Sequence, residues 1–213
     1  PHELTNPPVD ESTIPMPSLH SITRPVGFRA AGGTCGIKAS GKPDLALIVS
    51  DRPARLAAVF TANAFVGAPV IVGRENVKGG RGRAFIVNSG CANVATGAPG
   101  LADALSMCLT TAEALGCAPT DVLPASTGVI GQRLPIDRIL TGIEQLAPNL
   151  ARGKQADADA ATAILTTDLR PKTAWGRVAG SDAIVGGIAK GSGMIAPNMA
   201  TMLVYLTTDA DVS

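Results

Sequence analysis

Apolar residues in this chain come in short runs that only a strand can use. Seven stand out: Leu45–Ser50, Leu56–Thr61, Pro69–Val72, Ala84–Asn88, Val122–Ala125, Ile184–Ile188 and Met202–Thr207. Each is four to six residues long, so each predicts a strand. Three other stretches read as helices. The first, about Gly100–Leu115, puts Leu101, Leu105, Cys108, Ala112 and Leu115 on one face, with Gly116 suited to the left-handed position after a helix. The second, Pro135–Ala147, opens on proline and carries Ile136, Ile139, Leu140, Ile143 and Leu146. The third, about Lys154–Leu165, is alanine-rich. Strands and helices that intermix in this way predict an α/β (α+β) class. Residues 1–24 read as a loose, Pro-rich leader, and 25–213 as a single domain with no internal repeat or linker.

Composition excludes several functions. Of 213 residues, 46% are hydrophobic and 16% charged, which argues against disorder. Lys plus Arg (18) nearly balance Asp plus Glu (17), and aromatics are only 3%. Without a basic field or stacking platforms, no nucleic acid partner is expected. No run of about 18 apolar residues suggests a membrane span. The stretch PHELTNPPVDESTIPMPS lacks the basic and apolar regions of a signal peptide, so a cytoplasmic location is expected. Cys35, Cys91, Cys108 and Cys117 show no Cys-x-x-Cys spacing and read as free thiols in a reducing compartment. Neither a metal nor any other cofactor is expected. Zinc lacks ligands, because the only histidines, His2 and His20, both lie in the leader. The same scarcity limits catalysis: a Ser-His-Asp or Cys-His site would have to borrow its base from the leader, so acyl chemistry here needs another base.

The stretch Lys190-Gly-Ser-Gly-Met-Ile-Ala-Pro-Asn-Met-Ala-Thr201 sits between two predicted strands. Gly191 to Ala196 matches G-x-G-x-x-A, but Pro197 stands where a dinucleotide-binding helix would continue, and no helix follows. A P-loop fails as well, since lysine precedes the glycine. Taken alone, the loop reads as a tight turn between core strands. Its sharper reading lies in Ala200-Thr201. A threonine opening a strand after a small residue suits self-cleavage, after which its free α-amine serves as the base that a histidine would otherwise supply. Such an amine titrates near pH 7.7–8.0, by general expectation about where a base must work. Three further stretches join it. Ala125-Ser-Thr-Gly-Val-Ile-Gly131 ends a strand with small residues whose N–H groups suit an oxyanion, or form an ordinary turn. Val87-Asn-Ser-Gly-Cys-Ala-Asn93 closes a strand with side-chain amides common in turns. Leu165-Thr-Thr-Asp168 follows the alanine-rich helix with two hydroxyls and a carboxylate, fit to bind a polar substrate or merely to cap and turn. Lys190 is a solvated charge, a carboxylate binder beside the glycine loop, or a charge that depresses a neighbouring amine's pKa by repulsion.

In this order these segments resemble the ornithine acetyltransferase family, the self-cleaving threonine-nucleophile glutamate N-acetyltransferases of arginine biosynthesis. The resemblance also draws on Gly27-Phe-Arg-Ala-Ala-Gly-Gly33, Gly36-Ile-Lys-Ala-Ser40 and Val59-Phe-Thr-Ala-Asn63, and runs from about residue 24 to 211. It implies a layered α/β sandwich, similar to but distinct from the N-terminal-nucleophile hydrolases, with residues 25–213 as one catalytic domain. It implies Thr201 as nucleophile, Ala200–Thr201 as the cleavage site, and Thr127 with Gly128 as the oxyanion hole. Thr166, Thr167 and Lys190, together with Thr201, become substrate-binding residues. The implied reaction is ping-pong: N-acetylornithine acetylates the threonine, ornithine leaves, and glutamate takes the acetyl group. Acetyl-CoA stands as an open second donor, which would make the enzyme bifunctional. The implied assembly is an α2β2 heterotetramer in the cytoplasm, with an α chain over 25–200 and a complementary β chain that starts at 201–213 and continues further. An intact Ala200–Thr201 bond would leave Thr201 without its amine. The competing reading is a related self-cleaving aminopeptidase or amidohydrolase, distinguished by hydrolysis in place of transfer.

Overall fold

The structure is a computed structural model, and it describes residues 20–193 and 202–212. Seven strands and four α-helices are present among these residues: β1 (Phe28–Gly33), β2 (Leu45–Arg55), α1 (Ala68–Asn76), β3 (Arg81–Cys91), α2 (Gly97–Leu115), β4 (Val122–Val129), α3 (Ile136–Leu146), α4 (Lys154–Ala163), β5 (Lys172–Arg177), β6 (Ile184–Lys190) and β7 (Leu203–Thr208). One sheet runs β1-β2-β3-β4 and the other β5-β6-β7. All neighbours are antiparallel except β3 and β4, which run parallel with α2 in the connection between them.

The first sheet is buried on both faces, which explains why β2 opens as an unbroken apolar run. Leu45, Leu47 and Val49 face one core with Val72 of α1, Met107 and Cys108 of α2, and Ile139 and Ile143 of α3. Ala46 and Ile48 face a second core with Ala160, Ala161 and Ala163 of α4, Ile188 of β6 and Tyr205 of β7. The layers are therefore helices, sheet, and then α4 with the second sheet. The α/β class expected from the sequence, and the layering that the resemblance implies, are observed. The alanines of α4 have a packing reason: a Cβ added to Gly32 of β1 would lie 2.2 Å from the Asp159 carbonyl oxygen, so helix and strand touch backbone to backbone.

Several local expectations change. Pro69–Val72 is not a strand but the start of α1, where a first-turn proline costs no hydrogen bond. Leu56–Thr61 takes no regular structure, and β1 and β5 were not expected. Leu105 of α2 is half exposed, while Asp103, Ala104, Met107 and Thr111 turn inward, so the buried stripe is rotated from the predicted one. Gly116 does end α2 at φ +64°. Within the segment read as a loose leader, Ser21, Ile22 and Thr23 are buried. The Asp157 carboxylate accepts the Ser21 and Thr23 backbone N–H groups, and Thr207 donates to the Ile22 carbonyl at 2.6 Å. The loose reading therefore does not extend to those residues.

Candidate active site

The C-terminal ends of the parallel strands β3 and β4 lie side by side, in register from Ala84↔Val122 to Gly90↔Gly128. Gly128 has φ +135°, and a Cβ there would lie 2.3 Å from the Gly90 carbonyl carbon, so only glycine fits. The result is a buried Thr127 beside the exposed backbone of Gly128.

Lys190, the last residue of β6, meets them from the second sheet. Its residue is 2% exposed, and its ammonium donates to Thr166 Oγ1 at 2.7 Å and to Thr127 Oγ1 at 3.2 Å. A buried lysine needs such partners, since an unpaired buried cation costs several kcal/mol or more. The Asp168 carboxylate, its side chain buried, lies 4.0 Å from the Lys190 ammonium. Asp168 Oδ1 accepts the Gly191 N–H at 2.8 Å and a hydrogen bond from Lys172, whereas Oδ2 has no hydrogen-bond partner among the described residues. Burial pushes the Lys190 ammonium below its ordinary range; the Asp168 charge opposes that and the Lys172 charge adds to it. Burial alone would raise Asp168, but the bonds from Lys172 and Gly191 and the lysine charges outweigh it, so its carboxyl sits below the usual range. Thr167 points elsewhere and donates to the Ser192 carbonyl at 3.4 Å.

Four of the residues expected from the sequence, Thr127, Gly128, Thr166 and Lys190, thus come together from three separate parts of the chain. Ala200 and Thr201 lie outside the described residues. Lys190 and Leu203 are register partners, so the chain leaves β6 and returns to β7 beside this cluster. The Asn88–Asn93 stretch turns out to build the frame. Asn88 donates to the Cys91 carbonyl at 2.9 Å and accepts from Ser126, and Asn93, at φ +50°, donates to the Gly100 carbonyl at the start of α2.

Sequence reasoning gave no part to Asp44. This buried carboxylate accepts the backbone N–H groups of Cys35, Ile37 and Lys38 at 2.7, 2.7 and 3.0 Å. It thereby sets Ile37 and Lys38 over Gly90, where their side chains occupy the space a Cβ would need. No sequence signal separates Asp44 from any other loop aspartate. A groove of about 350 Å³ lined in part by Thr34, Cys35, Asp137, Arg138 and Gly142 lies elsewhere, against α3, and shares no residue with the cluster. Among the described residues, no group of three His, Cys, Asp or Glu side chains could hold a metal ion, all four cysteines are free, and no helix is long and apolar enough to cross a membrane.

A buried lysine on two threonine hydroxyls, beside a glycine at a strand end, gathers a positive charge and hydrogen-bond donors at one place. Two solved structures are similar to this chain in fold and sequence. An ornithine acetyltransferase complexed with ornithine, from Mycobacterium tuberculosis, superposes with a TM-score of 0.81 at 41% identity, covering 85% of this chain and 97% of that one. The arginine biosynthesis bifunctional protein ArgJ of Bacillus halodurans gives 0.78 at 42% identity, covering 85% and 95%. The chain belongs to the ArgJ family, whose model matches residues 29–213. Proteins named arginine biosynthesis bifunctional protein ArgJ are 47% identical over 207 residues in Dehalococcoides mccartyi and 50% identical over 193 residues in Caldanaerobacter subterraneus. These alignments cover 95% and 90% of this chain but 50% and 47% of those relatives. The chain therefore spans about half the length of the curated relatives it matches.

Proposed function

We propose that the complete protein is a glutamate N-acetyltransferase of arginine biosynthesis, carrying acetyl from N-acetylornithine to glutamate through an acetyl-threonine. The observation that carries this reading is Lys190 bonded to both Thr127 and Thr166 next to Gly128, in a chain of this family. Cleavage between Ala200 and Thr201 frees the Thr201 amine. That amine takes the Thr201 hydroxyl proton as the oxygen attacks the acetyl carbonyl. The oxyanion is held by the Thr127 hydroxyl and the Gly128 N–H, as preorganised donors hold it in acyl transfer generally. The amine returns the proton to the departing ornithine nitrogen. Glutamate's amine then attacks the ester and restores Thr201. Thr166 and Lys190 hold the polar part of each substrate, with Lys190 opposite a carboxylate.

The same reading makes residues 25–213 one catalytic domain, with 201–213 the start of a β chain that completes the site within a cytoplasmic α2β2 assembly. No step needs a cofactor. Acetyl-CoA would be a second acetyl donor, giving a bifunctional enzyme. The test is intact-mass spectrometry of the full-length gene product mixed with acetyl-labelled N-acetylornithine, then with glutamate. We expect a cut before Thr201, one labelled acetyl group on the chain starting at Thr201, and its passage to glutamate. Release of free acetate with no acetylglutamate would overturn transfer in favour of hydrolysis.

A further inference from the structure

The geometry of Asp168 is not that of a turn-forming aspartate. Its side chain is buried, one oxygen is saturated by Gly191 and Lys172, and the other, without a hydrogen-bond partner among the described residues, is the one nearest the Lys190 ammonium at 4.0 Å. Lys190 in turn spends two of its three N–H donors on Thr127 and Thr166. A protonated lysine only donates. Each threonine oxygen that accepts from it keeps its own O–H proton for some other acceptor. A neutral lysine can itself accept, and would turn a threonine hydroxyl inward. The charge state of Lys190 therefore decides whether Thr127 and Thr166 present hydrogen-bond donors outward.

We infer that Asp168 is a positioning residue that keeps Lys190 protonated, and so holds the Thr127 and Thr166 hydroxyls as outward donors for an anionic acceptor. The inference rests on the proposed acyl-transfer reading for what that acceptor is, but the charge control itself does not. Three charged groups bear on Lys190. Asp168 favours the ammonium. Lys172, on β5, whose register partner Ala189 is the residue before Lys190, disfavours it, as does Lys38 from the loop after β1. Burial disfavours it too, so among these influences Asp168 alone works to keep the proton on.

The test compares wild type with Asp168→Asn, Asp168→Glu and Lys172→Gln in the full-length gene product. Trace labelling with acetic anhydride across pH, read at Lys190 by mass spectrometry, gives that lysine's titration midpoint without any need for enzyme activity. The asparagine keeps an oxygen for Gly191 and Lys172 but removes the charge. We expect the midpoint to fall by about one pH unit or more in Asp168→Asn, to stay near wild type in Asp168→Glu, and to rise in Lys172→Gln. The alkaline limb of kcat/KM for acetyl transfer moves the same way, which a merely structural aspartate would not produce. A Lys190 midpoint unchanged in Asp168→Asn overturns the inference. Should that variant fail to fold, as judged by circular dichroism, an unchanged or lowered midpoint in Lys172→Gln overturns it instead. Correct midpoint shifts in a protein that transfers no acetyl would sink the acetyltransferase reading and leave the charge control standing.

Discussion

Asp44 and Asp168 are both buried carboxylates close to the same strand ends, and they are built for different work. Asp44 is surrounded by backbone: three N–H groups of one loop converge on it. Asp168 faces cations: Lys172 bonds it and Lys190 stands 4.0 Å away, with one oxygen left unbonded among the described residues. The first arrangement fixes a conformation, because every donor belongs to a chain segment that the carboxylate orders. The second fixes a charge, because the donor it faces is itself bonded to residues at the site. Burial does not tell the two apart. The identity of the donors does.

That distinction breaks or holds in a series of substitutions. The largest effect is expected on the Lys190 side. Thr127→Val should lower kcat of the full-length protein by about 10²–10³-fold, the usual cost of one oxyanion donor, with little change in unfolding midpoint. A fall in stability without a fall in kcat would move Thr127 into the frame. Next comes Asp44→Ala, which strands three partly buried N–H groups. We expect a loss of about 3 kcal/mol or more in urea unfolding. An Asp44→Ala protein of normal stability would refute the structural role.

The acid side sharpens the same contrast. The Asp168 carboxyl is held below its ordinary range in the folded protein, so its contribution is complete above the unfolded value, about pH 3.9. It is lost as pH falls from there through the lower folded value. Urea midpoints taken below about pH 4 should drop less steeply in Asp168→Asn than in wild type. Equal slopes would mean that Asp168 gains nothing from its lysines. The smallest effect is the control. Lys78 and Glu75 form an exposed pair on the surface, and Lys78→Gln should change stability by less than about 1 kcal/mol and leave every titration unmoved.

Much of this was legible in the sequence, and the reasons differ by element. The runs in β2, β3, β4, β6 and β7 announced themselves because both faces of one sheet, and the inner face of the other, are covered. α2 and α3 show helical spacing, and α4 is rich in alanine. Thr127, Gly128, Thr166 and Lys190 could be named as parts of motifs, though not seen to converge, since their meeting depends on β6 coming to the ends of β3 and β4. β1 and β5 were missed because small and polar residues, Phe28-Arg-Ala-Ala-Gly-Gly33 and Lys172-Thr-Ala-Trp-Gly-Arg177, lack an apolar run; pairing with β2 and β6 decides them. Pro69–Val72 misled because its β-branched residues suit a strand, while packing of Val72 against the core and the proline's first-turn position favour a helix. Residues 21–23 are polar or isolated in sequence, and the distant Arg152, Gly153, Asp157 and Thr207 make them part of the core.

The pairing of Lys190 with Leu203 has one more outcome. β6 and β7 flank the bond proposed to break, and six register pairs, from Val185↔Thr208 to Lys190↔Leu203, zip them together. Scission of that bond would convert one hairpin into a seam between two polypeptides, already stitched before the cut is made. The newborn end would thus begin life two residues from the ladder that anchors it, with no search for its place.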